Sequence, residues 1–324
     1  MLYPITFKPI FKERIWGGRE LERLYHKSIP ATAPVGEAWE ISDRPGDENV
    51  ILNGPLAGKS LRWLMEHHAG EILGDARPAA AGRFPLLCKI LDARDKLSLQ
   101  VHPPAVRAAE LKGEPKTEMW FIADAAPGAE LFVGLKRGVT RAEFERKIAD
   151  GSVADCFHRV PVKTGDTMFL PSGRVHAIGA GLVIFEIQQN SDTTYRVFDW
   201  NRTGLDGKPR DLHIAQSLAS IDFDDFEPGL VATPFVADGQ VLKRILVNDL
   251  LFDVEAWQLN PGASGSLRSG KLQIVAATSG VIEIRGGSMS VNLSAGQFCL
   301  IPASLEHTEI GAKSAVTLLR VEAH

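Results

Sequence analysis

Most of the chain consists of short runs of alternating apolar and polar residues, separated by Gly and Pro, and this pattern predicts a mainly β protein. In the run LSLQVH, Ser98, Gln100 and His102 alternate with three apolar residues. Successive side chains of a strand point to opposite faces, so these three polar side chains share one face.

Three stretches carry helical signals instead. Ser60 precedes an amphipathic pattern that extends to Leu73, and Thr140 with Glu143 forms a capping box for a helix ending near Asp150. A third helix is predicted over 212–218. The acidic and then loop-like segment 220–240 is interpreted as a linker, which predicts one domain over 1–225 and a second over 226–324, the second almost entirely strand and turn.

Polar side chains recur on one face of two further predicted strands. Lys116, Glu118 and Trp120 share a face of KTEMWF. After His176, polar residues occupy the even positions from Glu186 to Arg196, and apolar residues occupy odd positions at the start of this run. The simplest interpretation is a barrel with a polar interior and an apolar exterior. Buried polar groups are costly unless they are paired or functional, so this interior predicts a site.

Composition excludes several classes of protein. The 324 residues suffice for about two domains. The 36 Lys and Arg and 40 Asp and Glu residues form no long block of one sign, which argues against a nucleic-acid partner. No apolar stretch approaches the roughly 20 residues of a membrane span, and Lys8 and Lys12 interrupt any signal-peptide core. Three distant cysteines fit a reduced protein, so a cytoplasmic location is predicted.

An internal repeat predicts the architecture. Residues 165–176 (GDTMFLPSGRVH) and 296–307 (GQFCLIPASLEH) place Gly, Pro and His at the same spacing. This G-x5-P-x-G-x2-H pattern, with Ser304 at the second Gly in the later copy, resembles the cupin family. The resemblance implies a mainly β bicupin, two jelly-roll barrels with a few helices attached to the N-terminal half. The second half lacks a Gln-x-His strand and a following Glu, so only the 1–225 domain is expected to bind metal and catalyse.

Four residues of the cupin pattern can converge as metal ligands: Gln100, His102, Glu118 and His176. Two imidazoles, one carboxylate and one carboxamide oxygen suit Zn²⁺, with Fe²⁺, Mn²⁺ and Ni²⁺ left open by the residues alone.

A second, denser resemblance covers residues 9–202. The strings IWGGRE, GEAWEIS, LSLQVHPP, KTEMW, GRVHAIGAGLVIFEIQQNSDTTYR and VFDWNR resemble those of type I mannose-6-phosphate isomerases in their short bacterial form. The resemblance implies one zinc ion per chain on those four ligands and a catalytic role for Arg196. It also implies interconversion of mannose 6-phosphate and fructose 6-phosphate. The alternatives are a non-catalytic sugar-phosphate-binding bicupin and, more weakly, another cupin chemistry such as a dioxygenase.

This isomerisation moves a proton between C2 and C1 through a cis-enediolate and needs an electrophile and a base. Arg196 can clamp the enediolate or the phosphate, or else form a structural ion pair with Asp192 or Glu186. Lys116 is a candidate base if its pKa is lowered, or a fixed cation that binds substrate. Asp192 can assist ring opening, orient Arg196 or cap a loop. Ser98 can bind substrate or satisfy a backbone group. A small sugar phosphate is the only predicted partner besides a second copy, since monomer and homodimer both remain open.

Overall fold

The computed structural model describes residues 2–324, which form two β-sandwiches with five α-helices. All five helices lie before residue 221, in the part of the chain that is called the first half below, and residues 236–324 are called the second half. The first-half strands are β1 (Ile10–Gly18), β2 (Val35–Ile41), β3 (Asp43–Arg44), β4 (Asp47–Glu48), β5 (Leu86–Ala93), β6 (Leu99–Val101), β7 (Glu118–Ala125), β8 (Glu130–Leu135), β9 (Phe157–Pro161), β10 (Thr167–Leu170), β11 (His176–Ile178), β12 (Leu182–Gln189) and β13 (Tyr195–Phe198). The helices are α1 (Glu20–Tyr25), α2 (Leu61–Leu73), α3 (Ala105–Ala108), α4 (Arg141–Asp150) and α5 (Ile214–Ser220). The second-half strands are β14 (Val236–Asp238), β15 (Val241–Asn248), β16 (Phe252–Leu259), β17 (Ser264–Ser266), β18 (Gln273–Ser279), β19 (Val281–Gly286), β20 (Met289–Ser294), β21 (Phe298–Ile301), β22 (Thr308–Ala312) and β23 (Val316–Ala323).

The two sandwiches have matching strand orders. Sheet 1 runs β1-β2-β5-β12-β7-β10 and sheet 3 runs β14-β15-β16-β23-β18-β21, while sheet 2 (β13-β6-β11-β8-β9) matches sheet 4 (β17-β22-β19-β20) except at one edge. The repeated segments lie in corresponding places, since 165–176 supplies β10 and the start of β11 and 296–307 supplies β21 and the turn before β22. The mainly β, doubled fold with few helices that the repeat predicted is confirmed, and each predicted jelly-roll barrel is a sandwich of two sheets.

The interior of the first sandwich is polar at one end only. At the other end an apolar cluster fills the space between sheets 1 and 2, including Trp120, Ile122, Leu131 and Ile184. The prediction of a polar interior is therefore wrong for this half. The even-numbered face of β12 begins with two apolar residues and becomes polar only at Glu186, so one strand contributes to both the core and the site.

Apolar packing covers both outer faces of the first sandwich, as predicted. Sheet 1 packs against sheet 3, where the rings of Phe185 and Phe298 stack with centroids 5.5 Å apart. The outer face of sheet 2 packs on α4 and on the segment containing Ile221, and Phe144 of α4 is fully buried there. The second sandwich thus supports the sheet that carries half of the polar site.

The helix predictions hold with shifts at the ends. The Ser60 hydroxyl accepts the Trp63 N–H at the start of α2, and the Thr140 hydroxyl accepts the Glu143 N–H at the start of α4. Helix α5 begins and ends two residues later than predicted, and α1 and α3 were not predicted. Within residues 2–324, none of the helices combines the length and apolar character that crossing a bilayer needs.

The connection between the sandwiches has no regular element between residues 221 and 235, and β14 begins inside the predicted linker. Near the N-terminus, Ile5 and Leu300 exchange two backbone hydrogen bonds of 2.9 and 2.8 Å, so the start of the chain lies against β21 of the second sandwich. A division of the chain after residue 225 stays a prediction.

Candidate functional site

The predicted ligands meet at the polar end of the first sandwich. Gln100 lies on β6 and His102 follows that strand, Glu118 begins β7, and His176 begins β11 directly opposite Gln100. One nitrogen or oxygen atom from each of His102, Glu118 and His176 falls within 4.8 Å of the others, and all three residues are buried. The strands of both sheets therefore deliver a His, Glu, His set to one point.

Hydrogen bonds orient both imidazoles toward this point. His102 Nδ1 bonds the Thr193 carbonyl at 2.7 Å, and His176 Nδ1 bonds the Arg174 carbonyl at 3.0 Å. A carbonyl only accepts, so each Nδ1 carries the proton and each Nε2 of the neutral ring presents its lone pair. Burial, followed by Lys116, lowers the pKa of His102 to about 4, which keeps the ring neutral.

Three buried atoms at this point have no hydrogen-bond partner within residues 2–324: His102 Nε2 and both carboxylate oxygens of Glu118. An unpaired buried acceptor is costly, and two imidazole nitrogens with a carboxylate are a common donor set for a divalent cation. The Nδ1–carbonyl bonds are the supporting contacts that metal-binding histidines usually have. The residues therefore fit a bound cation.

Gln100 reaches the same point through its amide. Its Nε2 lies 3.2 Å from His176 Nε2, and the Ser98 hydroxyl donates to its Oε1 at 3.3 Å. The nitrogen rather than the oxygen faces the histidine, and a half-turn of the amide would exchange them. Ser98 thus contacts Gln100 rather than the backbone group considered as its alternative.

Lys116 pairs with Glu118, its Nζ lying 2.8 Å from Oε2. Burial would lower the pKa of Lys116, but Glu118 and Glu186 outweigh it and hold the pKa above its usual value. This is opposite in direction to the lowering considered from the sequence, because two carboxylates rather than Arg196 dominate the surroundings of the ammonium. A divalent cation beside Glu118 would act in the other direction.

A cavity of about 610 Å³ opens beside these ligands and is lined by Ser98, Gln100, Lys116, Asp192 and Arg196. The guanidinium of Arg196 forms no ion pair with the carboxylates of residues 2–324, and its buried Nε has no hydrogen-bond partner. The structural ion pair considered for Arg196 is therefore absent from the described chain. Asp192 is exposed on the cavity wall, and in its turn the neighbouring Ser191 accepts the Thr193 N–H.

Sequence reasoning missed a buried charged network on the same wall. Lys89 Nζ lies 3.3 Å from Glu186 and 3.6 Å from Glu37. The indole N–H of Trp39 donates to Glu37 at 2.6 Å, and the indole N–H of Trp120 donates to Glu186 at 2.9 Å. The available signal was a lysine in the middle of the mostly apolar strand LLCKILDA, where a buried cation needs a partner.

Arg14, Arg210 and His213 also line the cavity and were missed. The sequence analysis assigned no role to His213. Its position depends on the loop 200–213 returning to β13, a long-range feature with no local pattern.

Comparisons with known proteins identify the family. The family model "Phosphomannose isomerase type I, catalytic domain" matches residues 5–118. The mannose-6-phosphate isomerase ManA of Bacillus subtilis is 40% identical over 269 residues, covering 81% of each chain. The mannose-6-phosphate isomerase of Streptococcus mutans is 36% identical over 308 residues, 94% of each.

A solved structure extends the likeness to the whole chain. The crystal structure of the mannose 6-phosphate isomerase from Bacillus subtilis superimposes with a TM-score of 0.89 at 31% identity over 99% of both chains. The resemblance drawn from the sequence is confirmed, and the chain belongs to the type I mannose-6-phosphate isomerase family of enzymes.

Proposed function

We propose that this chain is a zinc-dependent aldose–ketose isomerase that interconverts mannose 6-phosphate and fructose 6-phosphate. The observation that supports this most directly is the buried His102, Glu118 and His176 set, with acceptor atoms that no hydrogen-bond donor of residues 2–324 satisfies, beside a polar cavity lined by Gln100 and Lys116. The substrate is inferred from the relatives described above, which are mannose-6-phosphate isomerases.

The zinc ligands in this proposal are His102, Glu118 and His176, joined by the oxygen of Gln100 once its amide is turned. When bound, the ion supplies positive charge that stabilises negative charge developing on the sugar oxygens. Burial of all three charged or imidazole ligands keeps water away, so this charge acts at low dielectric.

The remaining side chains handle the substrate and its proton. Lys116, held as an ammonium by Glu118, donates hydrogen bonds to a sugar oxygen. The Arg196 guanidinium has no hydrogen-bond acceptor within residues 2–324, so its donors are available to stabilise the enediolate as it forms. Asp192 is the carboxylate on the cavity wall that can accept the C2 proton and return it at C1.

The test is metal content by mass spectrometry with mannose 6-phosphate turnover measured before and after chelation. About one zinc per chain, with activity lost on chelation and restored by zinc, is the expected result. Metal without turnover would favour a sugar-phosphate-binding protein. A folded chain without metal would overturn the ligand assignment.

A further inference from the structure

The rim of the cavity holds two arginines with unpaired donors. Arg196 has no carboxylate partner in residues 2–324. Its pKa is lowered first by burial and next by the positive charge of the nearby Arg210. Like charges held side by side are unfavourable unless an anion joins them. The pair therefore points to an anion at the rim.

Asp199 positions Arg210. The Nε and Nη2 groups of Arg210 donate to the two carboxylate oxygens of Asp199 at 2.7 and 2.6 Å. Arg202 donates to Asp199 Oδ1 from its own Nε and Nη2 at 3.2 and 3.0 Å. Arg202 also donates to the Asp95 carboxylate at 3.3 Å, so it has two carboxylate partners whereas Arg210 has one, and Arg210 Nη1 makes no hydrogen bond within residues 2–324.

The loop 200–213 returns so that His213 pairs with Arg196. The backbone N–H of His213 donates to the backbone carbonyl of Arg196 at 2.8 Å, and the backbone N–H of Arg196 donates to the ring Nδ1 of His213 at 3.3 Å. Since Nδ1 accepts, the proton of the neutral ring is on Nε2. His213 therefore presents a third donor beside the two arginines, on the same cavity wall.

We propose that Arg210 and His213, beside Arg196, bind the 6-phosphate of the substrate. This rests on the proposed function, in which C1 and C2 react near the buried ligand set. C6 is at the opposite end of the hexose, so its phosphate lies toward the rim. A phosphate offers several strong acceptor oxygens, which match the fixed donors of an arginine and a histidine. The carboxylates of Glu13 and Asp206 also border the cavity but are exposed, where water screens them.

The test compares Arg210→Gln with Arg202→Gln in the metal-loaded full chain. Both variants remove two N–H donors from Asp199, but only Arg210 lines the cavity. We expect Arg210→Gln to raise the KM for mannose 6-phosphate about 10- to 100-fold, with kcat within about threefold, because a charge-assisted hydrogen bond is lost. The Ki of inorganic phosphate as a competitive inhibitor should rise by a similar factor, and Arg210→Lys should recover part of both losses. Arg202→Gln should leave KM and Ki within about twofold.

An unchanged KM and Ki in Arg210→Gln, or equal losses in Arg202→Gln, would overturn the phosphate site while leaving the isomerase proposal intact. Metal content and melting temperature of each variant separate misfolding from lost binding. If the wild-type chain shows no turnover, the proposed function fails, and titration of inorganic phosphate into wild type and Arg210→Gln still decides whether the anion site exists.

Discussion

Replacing Lys89 with Met would leave two buried carboxylates without their shared cation. The Lys89 ammonium lies 3.3 Å from Glu186 and 3.6 Å from Glu37, and the side chains of all three are less than one-tenth exposed. Removing one partner of a buried ion pair costs about 3–5 kcal/mol, because the other charge stays buried and unpaired.

The pKa of Glu37 gives a second measure of how much its buried charge contacts stabilise the folded chain. Burial raises this pKa, but Lys89 and then Arg14 lower it more, to about 2 against an ordinary value of 4.5. Each pKa unit corresponds to about 1.4 kcal/mol, so the depression represents about 3 kcal/mol of stability. Because the folded pKa is below the unfolded one, this stabilisation is fully present above about pH 4.5 and is lost as the pH falls toward 2.

Urea unfolding of wild type and Lys89→Met, both after chelation, would measure the difference. We expect a deficit of about 3–5 kcal/mol at pH 7 that shrinks near pH 4.5, since the variant can protonate its unpaired carboxylates in the folded state. Arg14→Met is the matched control. Arg14 donates to Glu37 at 2.6 Å but is one-third exposed, so its loss should cost no more than about 1 kcal/mol. Equal losses in the two variants, or a Lys89→Met deficit independent of pH, would refute the reasoning.

Three further outcomes are expected. His176→Ala should lose metal and turnover together, whereas a variant at His307, the exposed counterpart of His176 in the repeat, should lose neither when changed to His307→Ala. Metal retained in His176→Ala would exclude His176 as a ligand. Arg196→Ala should keep its metal and lose about 10²-fold or more in kcat, so a parallel loss of metal by mass spectrometry would show that its role is structural. Truncation after Ser220 should expose the apolar face of sheet 1 and cause aggregation in sedimentation velocity, and a soluble, fully active fragment would show that the second sandwich is dispensable.

The site was largely predictable because its residues lie on short strands with clear alternation. Ser98 and Gln100 line the cavity and His102 joins the buried ligand set beside it, while Leu99 and Val101 pack on the opposite face of sheet 2, as the period of two requires. The spacing of the repeat predicted the doubled architecture for the same local reason.

The rest depended on contacts that no local pattern encodes. Glu186 and Arg196 were placed on one run of even positions, but β12 ends at Gln189 and β13 belongs to the other sheet, so they approach the cavity from opposite walls. The partners of Lys89 and the return of the loop at His213 are likewise set by how the sheets pack. A sequence pattern fixes which face a side chain takes, and only the tertiary fold decides what it meets there.

The second sandwich tests this distinction within one chain, because strand pairing relates its positions to those of the first. Glu118 pairs with Leu170, and Gln273 pairs with Ile301. Leu170 and Ile301 each precede the proline of the repeated segment. Gln273 therefore occupies, on an equivalent strand, the place of the carboxylate ligand Glu118.

The surroundings of these two positions differ in the way that decides metal binding. Both ends of the Gln273 amide are engaged: Arg320 Nε donates to its oxygen at 2.7 Å, and its nitrogen donates to the Arg268 carbonyl at 2.6 Å. The two Glu118 oxygens instead lie 3.3 Å from His176 Nε2 and 3.6 Å from His102 Nε2, and neither has a hydrogen-bond partner within residues 2–324. In the second sandwich the buried positive charge beside Gln273 is the guanidinium of Arg320, which belongs to the chain itself. The same backbone thus supports a candidate metal site in one half and a hydrogen-bonded network around Arg320 in the other, so the chemistry of this fold depends on a few inward positions rather than on the topology that repeats.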